Sequence, residues 1–174
     1  MAAIDLIVLG MLKKQALSAY DLQKLVEYRN ISKWVKISTP SIYKKVIQLE
    51  EKGLLRRVSV PGERTPEKIA YALTDAGERA FERLMEEISC QPIRIFLDFN
   101  AVVVNLDSLP PESQRSCADN MEKNVQEMRA CLEENLRAKE NAPEIPEMGL
   151  AVLRQQLLLA ETMEEWIRTL RERL

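Results

Sequence analysis

Ser38-Thr39-Pro40-Ser41-Ile42-Tyr43-Lys44-Lys45-Val46-Ile47-Gln48-Leu49-Glu50-Glu51-Lys52-Gly53-Leu54-Leu55-Arg56-Arg57 reads as a helix with a strong start, a glycine stop and a basic exit into a strand. The Thr39 hydroxyl is placed to accept a hydrogen bond from an otherwise unpaired N–H of the first turn. Pro40 suits the first helical position, where its missing N–H costs nothing. Gly53 supplies the left-handed residue that ends the helix. Ile42, Val46 and Leu49 recur on one face at helical spacing. At about 100° per residue, Ser41, Lys44 and Gln48 fall on the opposite side, with Tyr43 and Lys45 on its flanks. One face is suited to a small core and the other to a DNA groove.

Upstream, Ile4 to Lys14 carries apolar residues at 4, 7, 8, 11 and 12, which predicts a first helix. Ser18 is set to cap a second helix, with Asp21 three residues later as its capping partner and Tyr20, Leu22, Leu25 and Val26 as its apolar side. Downstream, Leu54 to Val60 reads as a strand and Ile69 to Leu73 as its partner. The turn-rich segment Pro61 to Lys68 is the long hairpin loop between them. Thr74 caps a further helix running through about Ile88. Three helices, a hairpin and a closing helix amount to a winged helix-turn-helix domain over residues 1–90.

From Pro92 the character changes, and residues 91–174 read as a separate helical domain. Ile93 to Leu106 is expected as one apolar helix, broken by Pro110-Pro111. A long polar helix follows from Glu112, with Cys117, Met121, Val125, Met128, Leu132 and Leu136 as a narrow stripe close to a coiled-coil seam. After the break at Asn141 to Pro146, a last helix carries Leu150, Leu153, Leu157, Ala160, Ile167, Leu170 and Leu174, and Leu158, Leu159, Met163 and Trp166 widen its apolar surface. A helix apolar on more than one face needs more than one neighbour. The fold class expected is therefore mainly α: an α+β winged helix-turn-helix with a C-terminal antiparallel helical dimerisation domain. A self-contained helical bundle is the other reading of this half.

The net charge of −2 hides an uneven distribution. Residues 1–90 hold 15 Lys/Arg against 12 Asp/Glu, and residues 91–174 hold 10 against 15. Within 33–68 there are 9 basic and 4 acidic side chains, an electrostatic footprint for phosphates around the opening helix. The absence of histidine removes Ser–His and Cys–His nucleophile pairs and His-containing zinc sites. Cys90, Cys117 and Cys131 are odd in number and lack metal-ligand spacing, so they read as reduced thiols that pack, in a cytoplasmic protein. The apolar start Met1 to Leu12 is interrupted by Asp5 and reads as a core helix, not a signal peptide; no run is long enough to span a bilayer. The acid pairs Glu50-Glu51, Glu86-Glu87 and Glu164-Glu165 diverge on helices, and no glycine-rich phosphate loop is present. No catalytic residue, metal site or cofactor is expected. Trp34 and Trp166 are read as core aromatics, with an effector pocket as the second reading.

The ordered segments Leu9-Gly10-Met11-Leu12, Ser18-Ala19-Tyr20-Asp21-Leu22, Thr39-Pro40-Ser41-Ile42-Tyr43, Leu49-Glu50-Glu51-Lys52-Gly53-Leu54 and Tyr71-Ala72-Leu73-Thr74-Asp75-Ala76-Gly77 resemble the PadR family of bacterial transcriptional regulators. The family often has His-Gly before the tyrosine of the second helix; Ser18-Ala19 stand there in this chain. The resemblance implies a dimeric regulator, usually a repressor, that binds an inverted-repeat operator in double-stranded DNA; the function expected first is a DNA-binding repressor released by a small-molecule effector. The homodimer would form through residues 91–174. On that reading Tyr20 and Thr39 approach the DNA backbone, Ser41 and Tyr43 hold phosphates, Lys44 and Gln48 reach base edges, and Lys45 flanks them. Arg56, Arg57, Arg64 and Lys68 of the hairpin meet the flanking backbone or minor groove. Other readings stand beside these: Tyr43 packing against the core, Lys45 and Lys52 solvating the helix, and only one of Arg56 and Arg57 facing DNA because strand neighbours alternate. The competing function is a winged-helix adaptor that binds protein and not DNA.

Overall fold

The computed structural model describes residues 3–35, 37, 40–61 and 67–174. The chain forms two compact units, Met1–Ile93 and Arg94–Leu174. In the first, helices α1 (Ala3–Lys14), α2 (Ala19–Tyr28) and α3 (Ser41–Glu51) precede strands β1 (Leu55–Val60) and β2 (Lys68–Leu73) and helix α4 (Asp75–Ser89). Each helix contributes one apolar stripe: Val8, Leu9 and Leu12 from α1, Leu22 and Val26 from α2, Ile42, Val46 and Leu49 from α3, and Ala80 and Leu84 from α4. Trp34 packs against this cluster, which favours the core reading for it.

The caps are local and follow the side-chain chemistry. Ser18 Oγ accepts from the Asp21 N–H at 3.1 Å and donates to Asp21 Oδ2 at 2.7 Å. Thr74 Oγ1 accepts from the Gly77 N–H at 3.1 Å and donates to the Gly53 carbonyl at 2.7 Å, which ties the start of α4 to the end of α3. Gly53 sits at φ 70°, as its place after α3 requires. Its N–H donates to the Glu50 carbonyl at 2.8 Å, and the Leu54 N–H donates to the Leu49 carbonyl at 2.9 Å, the paired bonds of a Schellman end. At the other end, Pro40 holds helical dihedrals just before Ser41, while the Thr39 cap lies outside the described residues.

Tyr20 departs from the expected apolar side of α2: it is 63% exposed, while Ala19, Leu22 and Val26 are buried. Two residues of helix rotate roughly 200°, so a side chain two before Leu22 points away from the core. Strands β1 and β2 pair antiparallel, from Leu55 opposite Leu73 to Val60 opposite Lys68. Leu17 adds a one-residue bridge to Tyr71, with N–H to carbonyl distances of 3.3 and 2.9 Å in the two directions.

The second unit holds α5 (Asn100–Val103), α6 (Pro111–Lys139) and α7 (Glu147–Arg171). The single helix expected over Ile93–Leu106 is absent. Only the short α5 and a 3-10 turn at Leu106–Ser108 form, and Ile95 and Phe96 are exposed on irregular backbone. A helix of that length depends on burying its apolar face, and β-branched Ile93 and Ile95 lower its intrinsic stability. Helices α6 and α7 run antiparallel: Ala118, Met121 and Val125 pack with Ile167, whereas Leu132 and Leu136 meet Leu150 and Leu153. Met128 of the expected stripe is partly exposed, as are Leu158, Leu159 and Trp166. Trp166 lies against Phe99 with ring centroids 5.9 Å apart. Cys90 and Cys131 are exposed, contrary to the packing role expected of them; only Cys117 is partly covered. No helix among the described residues is long and apolar enough to cross a membrane.

Candidate nucleic-acid interface

Ile42, Val46 and Leu49 press α3 onto the core and fix which of its side chains face outward. Tyr43, 58% exposed, and Lys44 project from the outer face, with Ser41 and Gln48 half-buried beside them. Arg56 is exposed on β1, the strand entered directly after α3. Lys44 and Arg56 form no ion pair with any acid among the described residues. Their charge is available to a polyanion.

Three other basic side chains, Arg57, Lys68 and Lys45, are held by acids from different elements. Arg57 grips Glu50 of α3 in a two-point contact, Nε to Oε1 at 2.7 Å and Nη2 to Oε2 at 3.1 Å, and this carboxylate holds the guanidinium pKa above its ordinary value. Lys68 Nζ lies 2.8 Å from Asp21 Oδ2, and the hydrogen bond from Lys68 holds the Asp21 carboxyl below its usual range. Lys45 Nζ lies 2.8 Å from Asp5 Oδ1 of α1, with only 18% of the lysine side chain and 3% of the aspartate side chain exposed. The flank of α3 expected to reach DNA through Lys45 is therefore turned towards α1. On α2, the Lys24 ammonium sits 4.5 Å from the centroid of the Tyr20 ring, so this exposed tyrosine carries a cation on its face. Thr39 and Arg64 lie outside the described residues.

The structure thus brings Tyr43, Lys44, Ser41 and Gln48 to one helix surface, with Arg56 on the following strand. The sequence reading missed Asp5, Asp21 and Glu50 as the partners of these basic side chains. The one available signal was Asp5, a charge set inside an apolar helix; the partners of the other two are fixed by tertiary folding.

Comparison with known proteins bears on the same elements. Residues 8–83 match the Transcriptional regulator PadR-like family. They span the described part of the chain from α1 through most of α4, including α3 and both strands. The family similarity is thus confined to residues 8–83. The whole chain also has the fold of PadR-like proteins. It superposes on Bacillus subtilis PadR in complex with operator DNA with a TM-score of 0.82 at 20% identity, covering 100% of this chain and 99% of that one. The same protein in complex with p-coumaric acid gives 0.79 at 18% identity, over 97% and 93% of the two chains. The Vibrio cholerae virulence activator AphA gives 0.74 at 19% identity, over 98% and 96%. A search of curated protein sequences finds no match. The likeness therefore extends beyond residues 8–83 to the helical half as a matter of fold.

Proposed function

We propose that the chain is a sequence-specific DNA-binding transcriptional regulator that acts as a homodimer through residues 91–174, in the cytoplasm, and that it is a repressor released by a small-molecule effector. The observation that carries this reading is α3: buried through Ile42, Val46 and Leu49, it presents Tyr43 and Lys44 to solvent beside the exposed Arg56. A two-fold dimer sets two such helices in successive major grooves about 34 Å apart, which suits an inverted repeat. Tyr43 and Ser41 hold phosphates, Lys44 reaches guanine and Gln48 adenine, and Arg56 meets the flanking backbone. Tyr20 and its Lys24 partner approach the backbone from α2. Arg57 and Lys68 join them on exchanging Glu50 and Asp21 for phosphate. The PadR complexes with operator DNA and with p-coumaric acid support a DNA partner and an effector for a chain of this fold.

A fluorescence titration with the DNA upstream of its own gene, repeated over a range of salt, tests the reading. Affinity is expected to rise steeply as salt falls, because phosphate contacts release counterions. No binding at low salt by an intact dimer sinks the proposal and leaves the protein-binding adaptor. Lys44→Ala is expected to relax base preference at one position and to cost roughly 1–3 kcal/mol. Equal weakening of all sequences would make Lys44 a phosphate contact only.

A further inference from the structure

We infer that Lys45 is a positioning residue and not a DNA contact: with Asp5 it forms an interhelical strut that sets the roll of α3 on α1. The inference rests on the DNA-binding reading of α3 and adds to it how that helix is held at a defined angle.

Asp5 is a carboxylate on an otherwise apolar segment of α1, and the residue is 2% exposed. A buried charge is costly unless it is compensated. Among the described residues the compensation is the Lys45 ammonium at 2.8 Å, a close approach of charges without an aligned hydrogen bond to Oδ1. The apolar anchors of α3 resist lifting of the helix from the core, but close-packed aliphatic side chains define its roll less sharply than a charge pair that must remain together. Lys45 lies next to Lys44 and one helical turn from Ser41, so a few degrees of roll would redirect both outward side chains. Base readout depends on bidentate geometry at groove edges, whereas phosphate attraction tolerates small displacements. Loss of the strut is therefore expected to damage discrimination more than attraction. The arrangement also places an obligatory acid behind the reading face without opposing phosphates there, because its charge is neutralised within the fold.

The test compares wild type with Asp5→Asn, Lys45→Met and the double variant. Four readouts are used: affinity for a duplex selected from a random library by the wild type, affinity for a random duplex, the dependence of both on salt, and amide hydrogen exchange along α3. If the strut positions α3, each single variant lowers the ratio of selected to random affinity by about tenfold, which is about 1.4 kcal/mol. The salt slope stays at the wild-type value, and the double variant loses no more than either single one. Amide hydrogen exchange across Lys44 to Leu49 accelerates in both single variants.

If Lys45 instead touches phosphate, Lys45→Met weakens both duplexes equally and lowers the salt slope by about one, while Asp5→Asn leaves binding unchanged or tighter. That pattern overturns the inference. A wild type that binds no DNA rejects the proposed function. In that case α3 exchange rates unchanged in both single variants also reject the strut, and acceleration in both retains it as a structural tie.

Discussion

The two halves of the molecule bury their apolar residues to different degrees. The PadR-like half closes its core: α1, α2, α3 and α4 each turn a stripe inward, and Leu9, Leu22, Ile42, Leu49 and Leu84 are fully enclosed. The helical half centres its buried clusters on the seam between α6 and α7 and leaves Phe96 82% exposed and Leu158 63% exposed, with Leu159 and Trp166 also partly bare. Large apolar side chains left uncovered mark a surface suited to a partner. The proposed second copy fits that need, since the same faces on two chains are self-complementary in a two-fold dimer. The comparison teaches that one half encloses its core by itself, while the other leaves apolar side chains that the proposed second copy would cover.

The contrast is broken or sharpened most strongly in the closed half. Leu49→Ala is expected to destabilise the winged-helix unit by about 2–5 kcal/mol, because it empties a site where α3 meets the core. Urea unfolding measures the loss, and an unchanged midpoint would contradict a closed core. Gly77→Ala is next, at about 1–3 kcal/mol: the added methyl group would run into the Leu54 carbonyl, which cannot retreat without shifting the end of α3. In the open half, Leu158→Glu with Leu159→Glu is expected to weaken the dimer at least tenfold, about 1.4 kcal/mol, without lowering the stability of residues 1–93. Sedimentation at several concentrations reads the change in mass; a dimer as tight as wild type moves the interface off this face of α7.

The smallest expected effect is a dependence on pH in the α6–α7 seam. Glu164, buried there, accepts a hydrogen bond from Arg168 at 2.9 Å, lies 3.0 Å from Arg129 Nε and is bonded by Gln126 at 3.4 Å. The Arg168 hydrogen bond leads in holding its carboxyl below the ordinary value of 4.5, despite desolvation acting the other way. A carboxyl whose folded value is depressed contributes its full stabilisation above about pH 4.5 and loses it as pH falls through the lower folded value. Acid unfolding followed by circular dichroism is expected to show a step in that window, and Glu164→Gln to flatten it. A variant with the wild-type acid profile would assign the step elsewhere.

Much of the fold was legible because its signals are local. Ser18, Gly53 and Thr74 act on backbone groups within a few residues, and the Ile42, Val46, Leu49 face needs only the helical period. The same period defined the outward face with Tyr43 and Lys44. Tyr20 was misplaced because a short helix with four apolar residues was credited with one face, although the rotation between residues 20 and 22 separates them. The segment from Ile93 to Leu106 was misread because apolar content says that burial is wanted, not that a surface exists to supply it.

By itself, then, the sequence determined the caps, the helix faces, the hairpin and the concentration of positive charge around α3, all of which follow from neighbours along the chain. Tertiary structure alone decided which of those charges remain available. Asp5 of α1 reaches Lys45 of α3, Asp21 of α2 reaches Lys68 of β2, and Glu50 closes on Arg57, while Lys44 and Arg56 are left exposed. Charge can be counted along a sequence, but its neutralisation depends on distances of a few ångströms between residues far apart in the chain, and only folding sets those distances.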